Sequence, residues 1–167
     1  MTLIRQLLSR QLSEGDRRAL LAAARRLRQV ARHQARAQPL KGRHIAVANT
    51  PAHHAGAELV AAAAEALGAR VSRIGAQALC RADDRPALAR MLGSLYDAVD
   101  CGDLDAARAL ELHELAGVPV FDGLADEDNP LHGLLPQMTD ETTSDAGATQ
   151  DDRLAALVQA VLLETVS

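Results

Sequence analysis

The spacing of apolar residues along this chain switches repeatedly between two periods. "RHIAVA" (43–48), "ARVSRI" (69–74), "YDAVDC" (96–101) and "VPVF" (118–121) are short apolar runs of strand length. Between them the apolar positions recur at helical spacing, from Thr50-Pro51 to Leu67, from Arg85 to Leu95 and from Leu104 to Leu115. Thr50 and Pro51 suit an N-cap and first turn, and Gly68 suits a helix end. A further helix is expected to start near Asn129-Pro130. Strands alternating with helices through short connections predict an α/β fold, a three-layer sandwich with a small four-stranded parallel sheet and helices on both faces.

The two ends add helices to this frame. Residues 3–11 suit a short helix. A second follows from Ser13, where Ser13 and Asp16 resemble a capping box and Leu20, Leu21, Ala24, Leu27, Val30 and Ala31 continue a stripe toward Pro39. Residues 139–151, "TDETTSDAGATQD", hold no large apolar side chain and read as a polar linker. Residues 152–167 then form one amphipathic helix, with Leu154, Leu157, Val158, Val161 and Leu162 on a single face. A lone helix of that kind must bury its stripe, and the sheet domain of residues 1–138 is the nearest host.

Composition sharpens the picture in three respects. The chain has 167 residues, 48% of them hydrophobic, which suits one domain. Tyr96 and Phe121 are its only aromatic residues. The core must therefore come from Leu, Val and Ala, and base-stacking platforms for single-stranded nucleic acid are excluded. The net charge of −4 is unevenly spread, since residues 1–44 carry eleven Lys and Arg against Glu14 and Asp16. These arginines punctuate a helical apolar pattern, so a solvated helix or subunit contact is expected and no nucleic-acid partner. No run approaches a membrane span or a signal peptide, and Cys80 and Cys101 lack metal spacing, all consistent with a cytoplasmic protein.

Several stretches resemble one family in order and spacing. "LKGRHIAVA", "LGARVSRIG", "RMLGSLYDAVDC", "LAGVPVFDGLADEDNPLH" and "LLPQMT", across residues 40–139, look like the carbamoyl-phosphate domain of aspartate/ornithine carbamoyltransferases. "LSEGDRRALLAAARRLR" resembles the family's opening helix. "QDDRLAALVQAVLLETVS" is similar to its C-terminal helix, which returns from a second, amino-acid-binding domain to pack on the first. The resemblance implies that the linker at 139–151 stands where that second domain would be. It also implies the family's trimer, so a homotrimer or a mixed assembly with a complete carbamoyltransferase or other enzyme is expected.

The chemistry that the resemblance would bring is not matched by the residues. Those enzymes hold a phosphate at a helix N-terminus bearing Ser-Thr-Arg-Thr-Arg, and catalysis rests on positioning and preorganised donors. His53-His54-Ala55-Gly56-Ala57 falls on those five positions and keeps none of them. The family's strand-end arginine falls on Gly102, and its His-Pro-x-Gln becomes Asn129-Pro130-Leu131-His132. Charged hydrogen bonds are worth about 1.5–3 kcal/mol each, so losing three arginines removes roughly 5 kcal/mol or more of phosphate affinity. Ordinary carbamoyl transfer is not expected, and no catalytic residue is assigned.

What remains is a candidate vestigial pocket: Thr50, His53, His54, Gly56, Gly102, Asn129 and His132. A helix N-terminus still favours negative charge, so at most a weakly held small anion is expected, His53-His54 otherwise reading as plain first-turn surface, with no metal and no cofactor. Adjacent histidines on a helix point about 100° apart and rarely share an ion. Asp126-Glu127-Asp128 reads as loop structure, His113 as a surface or interface residue, and His44 as packed or exposed without chemistry. A structural or regulatory role through association leads; a binding protein or repurposed enzyme using the altered crevice is the alternative.

Overall fold

The computed structural model describes residues 2–32, 37–80, 85–102, 104–138 and 148–166. In chain order the elements are α1 (Leu3–Leu8), α2 (Glu14–Arg32), β1 (His44–Asn49), α3 (His54–Ala66), β2 (Arg70–Gly75), α4 (Ala76–Cys80), α5 (Arg85–Leu95), β3 (Ala98–Cys101), α6 (Ala106–Ala116), β4 (Val120–Phe121), a 3-10 helix (His132–Met138) and α7 (Gln150–Val166). The four strands form one parallel sheet in the order β2-β1-β3-β4. All four apolar runs read as strands from the sequence are strands.

Chain direction decides which helices cover which face. The crossover from β1 to β2 runs one way across the sheet; those from β2 to β3 and from β3 to β4 run the other way. Right-handed crossovers therefore put α3 on one face and α5 and α6 on the other. The central strand β1 is buried from Ile45 to Ala48 and β3 along its whole length, as a parallel sheet covered on both faces requires.

The α7 helix packs against α2 and α3, burying Leu154, Leu157, Val158, Val161 and Leu162. On the other face α5 and α6 approach so closely at Gly93 that a Cβ there would lie 2.3 Å from the Ala116 carbonyl oxygen. Only glycine fits that contact.

Cap chemistry sets the helix boundaries, and it moves several of them from their expected places. The Ser13 hydroxyl accepts the Asp16 N–H at 3.1 Å, while the Ser13 N–H goes to Gln6 Oε1 at 2.6 Å. The capping box is thus completed by a residue of α1. At α7, Thr149 and Asp152 form both arms: the Asp152 N–H donates to Thr149 Oγ1 at 3.1 Å and the Thr149 N–H to Asp152 Oδ2 at 2.8 Å. That box starts α7 at Gln150, two residues before the expected 152. The remainder of the expected linker, 139–147, lies outside the described residues.

Thr50 and Pro51 open a turn instead of a helix. The α3 helix begins at His54, behind His53, whose side chain makes no cap hydrogen bond. Asn129-Pro130 likewise leads into a 3-10 helix with Pro136 inside it, not an α-helix. Proline lacks the N–H and crowds the preceding α-helical turn. The five-residue α4 has no periodic signature and was not expected.

At α6 the Asp105 carboxylate accepts the Arg108 N–H at 2.9 Å. Changing Asp105 to alanine should cost about 1 kcal/mol and lower Tm by about 2–4 °C, read by circular dichroism.

Candidate functional site

In an open parallel sheet, ligands bind beyond the strand C-termini where the strand order reverses. Here that point lies between β1 and β3, which are neighbours although β2 separates them in sequence. Three chain segments meet there: the turn from Thr50 to His53, Gly102 just past β3, and the loop from Asp122 to Pro130 after β4.

The turn fixes His53 by donating its N–H to the Thr50 carbonyl at 3.2 Å. Its ring then faces the β4 loop, with Nδ1 3.1 Å from Asp126 Oδ2. The loop is held from below by Asp100, whose Oδ1 accepts the Leu124 N–H at 3.0 Å. It is held from within by Asn129, which donates to the Gly123 carbonyl at 3.0 Å and accepts the Leu131 N–H at 3.1 Å. From the side comes Arg10, 3.0 Å from Asp122 Oδ1 and 2.8 Å from Asp128 Oδ2.

The candidate residues therefore separate. His53, Gly56 and Gly102 converge on Asp126. His132 lines the same cleft, its Nε2 3.1 Å from the Ala125 carbonyl. Thr50 and His54 border a different depression with Arg73 and Gly75, and the His54 ring pairs with the Asn49 amide. Asn129 is buried with both ends of its amide engaged inside the loop, so it offers nothing to a ligand. The sequence reading missed the parts of Asp126, Arg10 and Asp100; only the fold brings Asp126 against the turn and Arg10 and Asp100 against the β4 loop.

Over this floor lies an open cleft of about 950 Å³ between α3, the β4 loop and the start of α7. Glu58, Asp126, Glu127, Asp128, Asp151 and Asp152 line it, with His53 and His132 as the basic groups among the described lining residues. Backbone and hydroxyl hydrogen bonds from Thr149 hold Asp152 below the usual carboxylate range, so it keeps its charge. Burial pushes Asp100 up to about 7, with Asp126 and Asp122 adding to the effect against its hydrogen bonds from Leu124 and Gly123. Burial also raises Asp122, opposed by the Arg10 guanidinium. An incoming anion thus meets carboxylates where the resembled enzymes present arginines.

Other pairings lack catalytic geometry. His44 Nε2 lies 2.8 Å from Ser72 Oγ, but Arg70 approaches His44 Nδ1 at 3.4 Å. Arginine only donates, so Nδ1 accepts and Nε2 carries the proton, which is the wrong tautomer for a base toward serine. The pair also lies toward the opposite end of β1 from the crevice. Among the described residues, no group of three His, Cys, Asp or Glu is placed to hold a metal ion.

No family model matches the chain. It is 34% identical to the ornithine carbamoyltransferase of Cutibacterium acnes over 105 residues, 61% of this chain and 31% of that protein. It is 45% identical to the ornithine carbamoyltransferase of Actinobacillus pleuropneumoniae over 51 residues, 30% of this chain and 15% of that one. The chain thus spans a third or less of the length of the curated relatives it matches. The solved ornithine carbamoyltransferase of Thermus thermophilus superposes with a TM-score of 0.58 at 21% identity, covering 73% of this chain and 42% of its own. That of Gloeobacter violaceus gives 0.56 at 23%, covering 76% and 40%. At these identities the structural likeness is one of fold. The chain is thus similar in sequence to ornithine carbamoyltransferases over as many as 105 residues, and its fold is carbamoyltransferase-like.

Proposed function

We propose that the chain is a non-catalytic carbamoyltransferase relative. In this reading it lacks the amino-acid-binding domain and acts by association in the cytoplasm. It works as a homotrimer or within a mixed assembly with a complete carbamoyltransferase or another enzyme, in a structural or regulatory role. The observation that carries this reading is the crevice: the α3 start and the β3 end bring no arginine to it, and carboxylates ring the cleft above. Carboxylates outnumber basic groups in the described lining, and that excess of negative charge opposes a phosphate instead of holding it.

Association is supported by surface chemistry. The arginines of α2 and the acidic cleft are complementary in sign, and Val30, Met91, Leu95 and Leu115 leave large apolar groups in solvent. No helix among the described residues is long and apolar enough to cross a membrane. Gel filtration with light scattering at micromolar concentration should give an oligomer, and carbamoyl transfer to ornithine or aspartate should not exceed background. A strict monomer without a partner in pull-downs, or measurable transfer, overturns the proposal.

The size of the cleft keeps a second reading in view, in which a small molecule binds there beside His53 and His132, the two of the expected polar groups His53, His54, Asn129 and His132 that line it. Its carboxylate lining favours a cationic group over an anion. A thermal-shift screen with phosphate, carboxylates, amines and divalent metals decides. A saturable shift lost on changing His53 and His132 to alanine favours this reading, and a flat screen favours the first.

A further inference from the structure

Three positions at which this chain departs from the carbamoyltransferase pattern, His53, Gly56 and Gly102, touch one side chain. Asp126 Oδ2 pairs with His53 Nδ1 at 3.1 Å. A Cβ placed on Gly56 would lie 3.1 Å from Asp126 Oδ1, and one on Gly102 would lie 3.1 Å from Oδ2 and 3.0 Å from the His53 ring. At Gly123, whose φ of +94° already favours glycine, a Cβ would lie 2.0 Å from Oδ2. The carboxylate therefore lies in a cradle of three glycines closed by an imidazole, with its side chain 15% exposed. Larger side chains at 56 and 102 would press it out of that place.

We propose that Asp126 is a built-in anion that plugs the switch-point crevice, held by His53 and admitted by Gly56, Gly102 and Gly123. The first turn of α3 carries partial positive charge that favours a negative group. In this chain a covalently attached carboxylate takes that position, so the crevice floor is closed to an external oxyanion. This assignment builds on the non-catalytic reading and does not depend on assembly. Loss of the plug would leave the association tests untouched, and a monomeric protein would leave the plug untouched.

The test is chemical rescue in the full chain. Truncating Asp126→Ala empties the cradle of one carboxylate, the size of formate or acetate. The variant should melt lower than wild type, and sodium formate or acetate should restore about 3 °C or more with saturation. Sodium chloride at matched ionic strength should not, and wild type should show no such response. Adding H53A to D126A should abolish the rescue. Asp126→Asn fills the space without the charge; it should melt below wild type and ignore acetate. Equal responses of wild type and D126A to acetate, no response in either, or Asp126→Asn as stable as wild type would each overturn the proposal. If D126A does not fold in buffer, refolding yield in acetate against chloride gives the same reading: recovery in acetate alone supports the plug, and equal yields overturn it.

Discussion

Replacing Arg10 with alanine is expected to remove about 3 kcal/mol of stability, read as a lower urea midpoint at unchanged slope. Arg10 joins the N-terminal segment to the β4 loop through Asp122, which is 2% exposed, and Asp128, which is 72% exposed. The second pair is solvated and contributes little. The first matters because removing the guanidinium leaves a buried carboxylate without its counterion. The estimate sits at the low end for such a loss because 31% of the Arg10 side chain is in solvent.

Three comparisons separate this cause from simple loss of packing. Changing Asp122→Asn in the R10A background removes the orphaned charge and should recover most of the deficit. Arg10→Gly should cost about 1 kcal/mol less than Arg10→Ala, because Arg10 has φ 58° and glycine relieves the left-handed backbone. The difference between wild type and R10A should also narrow as pH falls and Asp122, already raised by burial, takes up a proton. An R10A midpoint within about 0.5 kcal/mol of wild type would show that the pair contributes nothing net.

The parallel sheet was legible because β1 and β3 are buried on both faces, so β1 reads as an unbroken apolar run and β3 as a short one interrupted only by Asp100. The alternation of strands with helices then fixed the layer order through crossover handedness. Local cap chemistry was less legible. Thr149 and Asp152 form a complete capping box across the end of a stretch whose composition reads as linker, and Thr50-Pro51 presents helix-start residues at a turn. In both places a local signal competed with a regional one, and the outcome depends on packing that no short window contains.

The site was legible in part. His53, Gly56 and Gly102 stand out as departures from the family pattern, but their common partner Asp126 belongs to a loop about seventy residues from the α3 start. Its triplet with Glu127 and Asp128 reads as ordinary acidic loop. Only the fold shows one carboxylate of the three turned in among glycines and the other two in solvent. Asn129 illustrates the reverse error: a polar residue at a family motif position that the loop consumes internally.

Asp100 predicts the dependence of stability on pH. Its carboxylate is buried at 3% residue exposure beneath the β4 loop, with a folded-state pKa of about 7 against 3.8 for the free side chain. Burial is the leading cause, and it outweighs the hydrogen bonds from Leu124 and Gly123. Because the folded value lies above the unfolded one, the native state holds a proton that the unfolded chain releases. The resulting contribution is fully present below pH 4 and is lost as pH rises toward 7, giving up about 1.4 kcal/mol per unit and at most about 4 kcal/mol in all. Asp100→Asn is neutral throughout and keeps an acceptor for the Leu124 N–H, so this part of the slope should vanish. Its amide N–H₂ meets the Gly123 N–H, so the variant should be the less stable protein at pH 5. At pH 8, where wild type buries a charge, it should be the more stable one. Urea unfolding of both proteins from pH 4.5 to 8.5 should give curves that cross. Parallel curves would mean that Asp100 stays ionised in the fold, its two backbone hydrogen bonds outweighing burial.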